Sequence, residues 1–280
     1  MFRQIIRLKR SCTVRSLIFQ RMRCRKSIVC LGLTLSLLVV QVLPGPTRTV
    51  SSAFATNWVL KFHDEFNGTT LNRTKWSTTY PWGARTNAEN RELEYYTDNA
   101  FQVAGGVLRI RAAPHRAQGF NYTSGIITSY SSFNLKYGYV EVRAKVPQGR
   151  GLWPAVWLAP HDESWPPEID ILEVQGNRTT INHMSNHYTN ASGAAQKDFG
   201  WMGPDFSKGF HTFALEWSPK QLTWYIDGVE RFRTKVAIPS KPMYVIANLA
   251  VGGNWVGPPN AKTKFPSYLQ IAYIRIYQRS

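Results

Sequence analysis

Three carboxylates crowd the segment from Pro166 to Gln175. Ile169, Ile171, Leu172 and Val174 mark it as a strand, yet Glu168, Asp170 and Glu173 interrupt it. Like charges on one strand face repel and add nothing to folding. The pattern leaves three readings: paired acid–base chemistry, a cation site, or a solvated acidic edge. Side chains alternate along a strand, so Glu168 and Asp170 share a face, while Glu173 points away. A β-bulge at Ile171-Leu172 adds one residue and returns Glu173 to that face. The glutamates then stand as if four residues apart, with Cα atoms ~13 Å apart. Side chains leaning together would bring the carboxyls toward the ~5–5.5 Å separation of a double displacement at an anomeric carbon. Asp170 between them would keep the acid partner protonated.

Aromatic residues cluster nearby. All ten tryptophans lie after residue 55, and Trp153, Trp157 and Trp165 shortly precede the acidic run. Indole faces stack on the C–H faces of sugar rings. Gly149–Trp157 and Gly252–Trp255 mix Gly with Trp, as loops around a cleft do, so Trp153, Trp157 and Trp255 are expected in a cleft. Trp217 and Trp224 sit in alternating segments and are expected in the core. His183 and His187 are four apart, ~13 Å in a strand, too far for an easy shared metal. A polar cleft contact suits His187 better.

Strands must carry these groups. Val107–Ala112, Tyr137–Val146 and Ala272–Gln278 alternate, with Val140, Val142, Ala144 and Val146 on one face. Asp227-Gly228 is a strong hairpin turn. No helical period is sustained after residue 55. Many strands without helices predict an all-β fold, a sandwich or jelly roll of two packed antiparallel sheets. One domain is expected over residues 56–280.

Residues 1–55 read as an export leader. They hold ten Lys or Arg and no acidic residue; without them the balance is 24 basic to 17 acidic, and no long basic run remains to suggest nucleic-acid binding. Arg21, Arg23, Arg25 and Lys26 precede the apolar stretch 28–43, and Ala53-Phe54-Ala55 forms an A-x-A site, so cleavage after Ala55 and secretion are expected. Translation from Met22 would give a leader of ordinary size. The competing reading is a membrane anchor over residues 28–43, but these 16 residues fall short of the ~20 a span needs. All three cysteines (Cys12, Cys24 and Cys30) lie in the leader. The exported domain is therefore expected to fold on its own core, without disulfides, and no stable membrane association is expected after cleavage.

The segment Glu168-Ile-Asp-Ile-Leu-Glu173 resembles the bulged E-x-D-x-x-E signature of glycoside hydrolase family 16, most closely its laminarinase-like branch. Glu92-Leu-Glu-Tyr-Tyr-Thr97, Gly151-Leu-Trp-Pro-Ala-Val-Trp157, Phe210–Trp217, Asn248–Trp255 and Tyr273–Gln278 extend the likeness in order along the chain. The resemblance implies a β-jelly roll with a concave glycan-binding cleft and an endo-acting β-glucan hydrolase that retains configuration. It makes Glu168 the nucleophile, Glu173 the acid/base and Asp170 the helper that orients and tunes the nucleophile. Asn90, Glu92, Trp153, Trp157, His187 and Trp255 become substrate contacts, and the partner a polysaccharide bound by a monomer. No cofactor is implied. Relatives carry a structural calcium; here Glu65 and the Gly106 carbonyl match, but Ala272 stands where Asp is usual, so weak or absent calcium binding is expected. The alternatives are a non-catalytic β-glucan-binding protein, a hydrolase of agar, carrageenan or galactan, and a transglycosylase.

Overall fold

The computed structural model describes residues 58–280. The leader, its A-x-A site and the apolar stretch 28–43 lie outside the described residues. Among those described, no helix is long and apolar enough to cross a membrane.

Sixteen strands make up the described chain. They are β1 (Trp58–Asp64), β2 (Glu94–Tyr96), β3 (Phe101–Ala104), β4 (Val107–Ala112), β5 (Tyr122–Ser124), β6 (Ile126–Thr128), β7 (Gly138–Lys145) and β8 (Leu152–Pro160). Then follow β9 (Glu168–Glu173), β10 (Ile181–Asn190), β11 (Gly193–Met202), β12 (His211–Trp217), β13 (Leu222–Ile226), β14 (Val229–Thr234), β15 (Met243–Val251) and β16 (Ser267–Arg279).

Two antiparallel sheets form the jelly-roll sandwich. One has the order β14-β13-β12-β7-β16-β4-β3, with β1 also on β16; the other runs β11-β10-β9-β8-β15-β6. A short parallel pair, β2 with β5, stands apart from both. Alternation decides which side chains enter the space between the sheets. Val140, Val142 and Ala144 of β7 are buried with Ile274 and Ile276 of β16, against Ile169, Ile171 and Leu172 of β9. Trp217 and Trp224 lie in the same core, as expected. β15, flanked by β8 and β6, is buried along its whole length, so no polar alternation marks it. Asp227 and Gly228 both have positive φ, 51° and 73°, the hairpin turn that an Asp-Gly pair favours.

Candidate active site

The bulge is the local feature that builds the site. Across the β8–β9 ladder Leu172 faces Val156 and Asp170 faces Trp157, leaving Ile171 as the extra residue. Ile171 and Leu172 therefore both turn into the core. Glu168 and Glu173 both line one cleft of about 800 Å³ on the outer face of the six-stranded sheet. On the other side of β9, pairing with β10 covers only Glu168, Ile169 and Asp170. Beyond it, the fully buried Asn182 side chain substitutes for the ladder. Its Oδ1 accepts the Glu173 N–H at 3.1 Å, and its Nδ2 donates to the Ile171 carbonyl at 3.2 Å.

Each carboxylate has its own partners. The Trp165 indole N–H donates to Glu168 Oε2 at 3.1 Å, and His187 Nε2 lies 3.4 Å from Glu168 Oε1. His187 Nε2 is 3.0 Å from Asp170 Oδ2. The Trp153 indole N–H donates to Glu173 Oε1 at 3.0 Å. His183, four residues before His187 on β10, stands 3.5 Å from Asp198 and edge-on to the Trp255 ring. The two histidines thus serve separate partners.

Burial raises all three carboxyls, because a charge is costly where water is excluded. Glu168 is pushed up to about 8, by burial and then by the Asp170 charge, with His187 and Trp165 opposing. Asp170 is raised by burial and by Asp198. Glu173 is held well above the usual carboxylate range by burial and by the charges of Asp170 and Glu168. Three negative charges cannot coexist here, so the cluster retains protons near neutral pH. Glu168, Asp170 and His187 also bring their ligand atoms within 4.8 Å of one another. His187 Nε2, at 3.0 Å from Asp170 and 3.4 Å from Glu168, accounts for that closeness without an ion.

Trp153 and Trp157 are four apart on β8, share its outer face, and line the cleft with Trp255, Asn90 and His187. Gly253 has φ +101°, and a Cβ there would come 3.1 Å from Trp153 and from the Asn90 carbonyl, so only glycine lets this wall close up. Glu92 departs from expectation. It is 7% exposed and sits behind Asn90, accepting the Asn90 Nδ2 donor at 3.0 Å. It supports the wall and does not face the cleft, because Asn90 and its loop cover it.

Among the cleft-lining residues not assigned from the sequence, four stand out. Trp165 stands beside Glu168, and its place directly before the acidic run was the available signal. Exposed Trp82 stacks on buried Tyr80 at 4.8 Å, and both line the cleft; the Tyr80-Pro-Trp82-Gly83 run mixes Gly and Trp as the other cleft loops do. Asp198 comes from the edge strand β11, and nothing in its local sequence sets it apart.

The residues at the position of the relatives' calcium do not fit that ion. Both Glu65 oxygens accept from Arg275, at 2.8 and 2.9 Å, and Ala272 supplies no side-chain oxygen. The carboxylate that a hard cation needs is already neutralised by a guanidinium.

Comparison with known proteins agrees with this geometry. The chain is 36% identical over 240 residues to the endo-1,3-1,4-beta-glycanase ExsH of Rhizobium meliloti (strain 1021), covering 77% of this chain and 51% of that protein. It is 32% identical over 255 residues to a beta-glucanase of Rhodothermus marinus, covering 80% and 86%. Among solved structures, the laminarinase catalytic domain of Thermotoga maritima MSB8 superposes with a TM-score of 0.72 at 32% identity, over 80% of this chain and 99% of that one. The chain thus spans about half the length of ExsH but nearly all of the laminarinase domain. The model of glycosyl hydrolases family 16 matches residues 61–267, from β1 into β16 and across the whole acidic bulge, and the chain belongs to that family.

Proposed function

We propose that this domain is a secreted, endo-acting hydrolase of β-1,3- or mixed β-1,3-1,4-glucan that works by double displacement. The observation that carries this reading is the bulge at Ile171, which puts Glu168 and Glu173 on the same cleft floor. Glu168 attacks the anomeric carbon while Glu173 protonates the departing glycosidic oxygen, giving a covalent glycosyl–enzyme. Glu173, now a carboxylate, takes a proton from water; the resulting hydroxide equivalent attacks the same carbon and frees Glu168. Asp170 and His187 hold Glu168 in place and tune its charge. The Trp165 N–H keeps one Glu168 oxygen fixed, leaving the other to attack. Trp153, Trp157, Trp255, Asn90 and His187 contact the sugar.

The glucan assignment is supported by the β-glucanase names of the relatives and by aromatic walls suited to uncharged sugar rings. Cleavage should be read as reducing ends released from laminarin, lichenan, agarose and carrageenan. Release from the first two, abolished by Glu168→Ala with glucan binding retained, supports the proposal. Wild-type protein that binds glucan without cutting it would favour a recognition role instead. Secretion and the monomeric state are part of the proposal. N-terminal sequencing of exported protein should find a start at Thr56, and light scattering a single chain.

A further inference from the structure

Behind the cleft wall lies a second pair of carboxyls. Glu92 and Glu94 are two residues apart, so an extended chain puts them on one face. Glu94 is fully buried. Glu92 collects donors from the wall: Asn90 Nδ2 at 3.0 Å, the Tyr96 hydroxyl at 3.2 Å and the Asn87 N–H at 3.3 Å. Glu94 Oε2 accepts the Val251 N–H at 2.6 Å, while its Oε1 meets no donor. Glu94 stands between Glu92 and Tyr96 on that face, and the side chains on either side of it meet at 3.2 Å, so its donor-less oxygen is enclosed beside the Glu92 carboxyl. Two carboxylates side by side are both acceptors and repel; one proton between them turns the repulsion into a donor and an acceptor.

The surroundings place that proton. Glu92 has three outside donors and Glu94 has one, so the negative charge is better held on Glu92 and the proton on Glu94. These donors are amides and a phenol, with no Lys, Arg or His among them. The titratable groups facing the pair are the phenols of Tyr80 and Tyr96, and the pair's own charge opposes their ionisation. Glu168 acts on Tyr80 from β9. Burial raises both carboxyls, and the Glu92 charge raises Glu94 further.

The pair is wired to the cleft at two points. One is Asn90. The other runs through Tyr96, whose oxygen accepts Asn248 Nδ2 at 3.0 Å, to Asn248 Oδ1, which accepts the Trp157 indole N–H at 2.9 Å. We propose that Glu92 and Glu94 act as a one-proton carboxyl pair, Glu94 donating to Glu92, that positions Asn90 and Trp157 for substrate binding. The substrate part rests on the glucanase reading above; the shared proton does not.

The test therefore has two independent readouts. Infrared spectra near neutral pH should contain a protonated-carboxyl component that is lost in Glu94→Gln. In kinetics on laminarin, Glu94→Ala should raise KM about tenfold with a much smaller change in kcat, the loss of one hydrogen bond to a charged group. Glu94→Gln should restore most of that affinity, because its amide donates to Glu92 and accepts from Val251. Glu92→Gln should not, because it sets an NH2 among donors, and its effect should be non-additive with Asn90→Ala. Should either alanine variant fail to fold, melting of the two glutamine variants carries the same asymmetry, with Glu94→Gln near wild type and Glu92→Gln lower. Absence of the infrared component, or equal damage from the two glutamine variants, would overturn the pair. If wild-type protein leaves glucan uncut, the infrared result still decides the proton.

Discussion

Trp224 reaches across the sandwich and donates its indole N–H to the backbone carbonyl of Asp170 at 2.7 Å. The donor belongs to β13 of one sheet and the acceptor to the strand that carries the acidic run in the other. The bond fixes β9 next to its bulge, from the side opposite the cleft. Trp224→Phe leaves that carbonyl without its partner and a gap where the indole was, costing ~2–4 kcal/mol. Urea unfolding should show the loss, and kcat should fall more than KM rises, because the displaced groups are the reacting ones. A variant with normal kcat would show that the bulge holds its shape without this bond.

Asn182 completes the ladder where β10 no longer pairs with β9. Asn182→Ala orphans the Glu173 N–H and the Ile171 carbonyl together, a loss of ~2–4 kcal/mol. Activity should drop beyond what the fraction unfolded explains, since Glu173 loses the bond that aims its backbone. Comparing kcat at a temperature where both proteins are fully folded checks this.

The pH dependence follows from the raised carboxyls. Glu168 must be ionised to attack, so activity is lost as pH falls through its value. Glu173 must be protonated to act as acid, so activity is lost as pH rises through its value. Both lie above the ordinary carboxylate range. The acidic limb of kcat/KM should therefore fall well above ~4.3, the free glutamate value. An acidic limb at that free value would mean that the cleft is wetter or less charged than its geometry implies.

The same shift is a cost to stability. A carboxyl with a raised folded-state value favours folding below its unfolded value, and that contribution is lost as pH rises toward the folded one. For Glu168 the loss runs from the free range up to about 8. Glu168→Gln removes it, so the inactive variant should be more stable than wild type by ~1–3 kcal/mol at pH 8 and no more stable at pH 4. Thermal melts at the two pH values test the sign.

Calcium should leave the domain unmoved. With Glu65 engaged by Arg275 and no carboxylate at position 272, neither added Ca²⁺ nor a chelator should shift Tm. Arg275→Ala should cost only ~1 kcal/mol or less, because the pair is partly exposed and screened. A rise of several degrees on adding calcium would show that the ion displaces the guanidinium.

The sequence by itself determined the strands, the sandwich and the acidic trio, because alternation and turn chemistry are local and period two is written residue by residue. Even the bulge was legible, since Glu168 and Glu173 differ by an odd offset and Ile171-Leu172 supplies two adjacent core residues. Contacts between distant segments were not legible. Asn182 bonding the bulge, Asp198 facing His183, and Trp224 holding the Asp170 carbonyl each join residues that no local pattern links. Glu92 shows the difference most plainly: its motif marked it as a cleft residue, but only the packing of the Asn90 loop over it decided that it stands behind the wall. A side chain's face follows from its own strand; what covers that face depends on the rest of the chain.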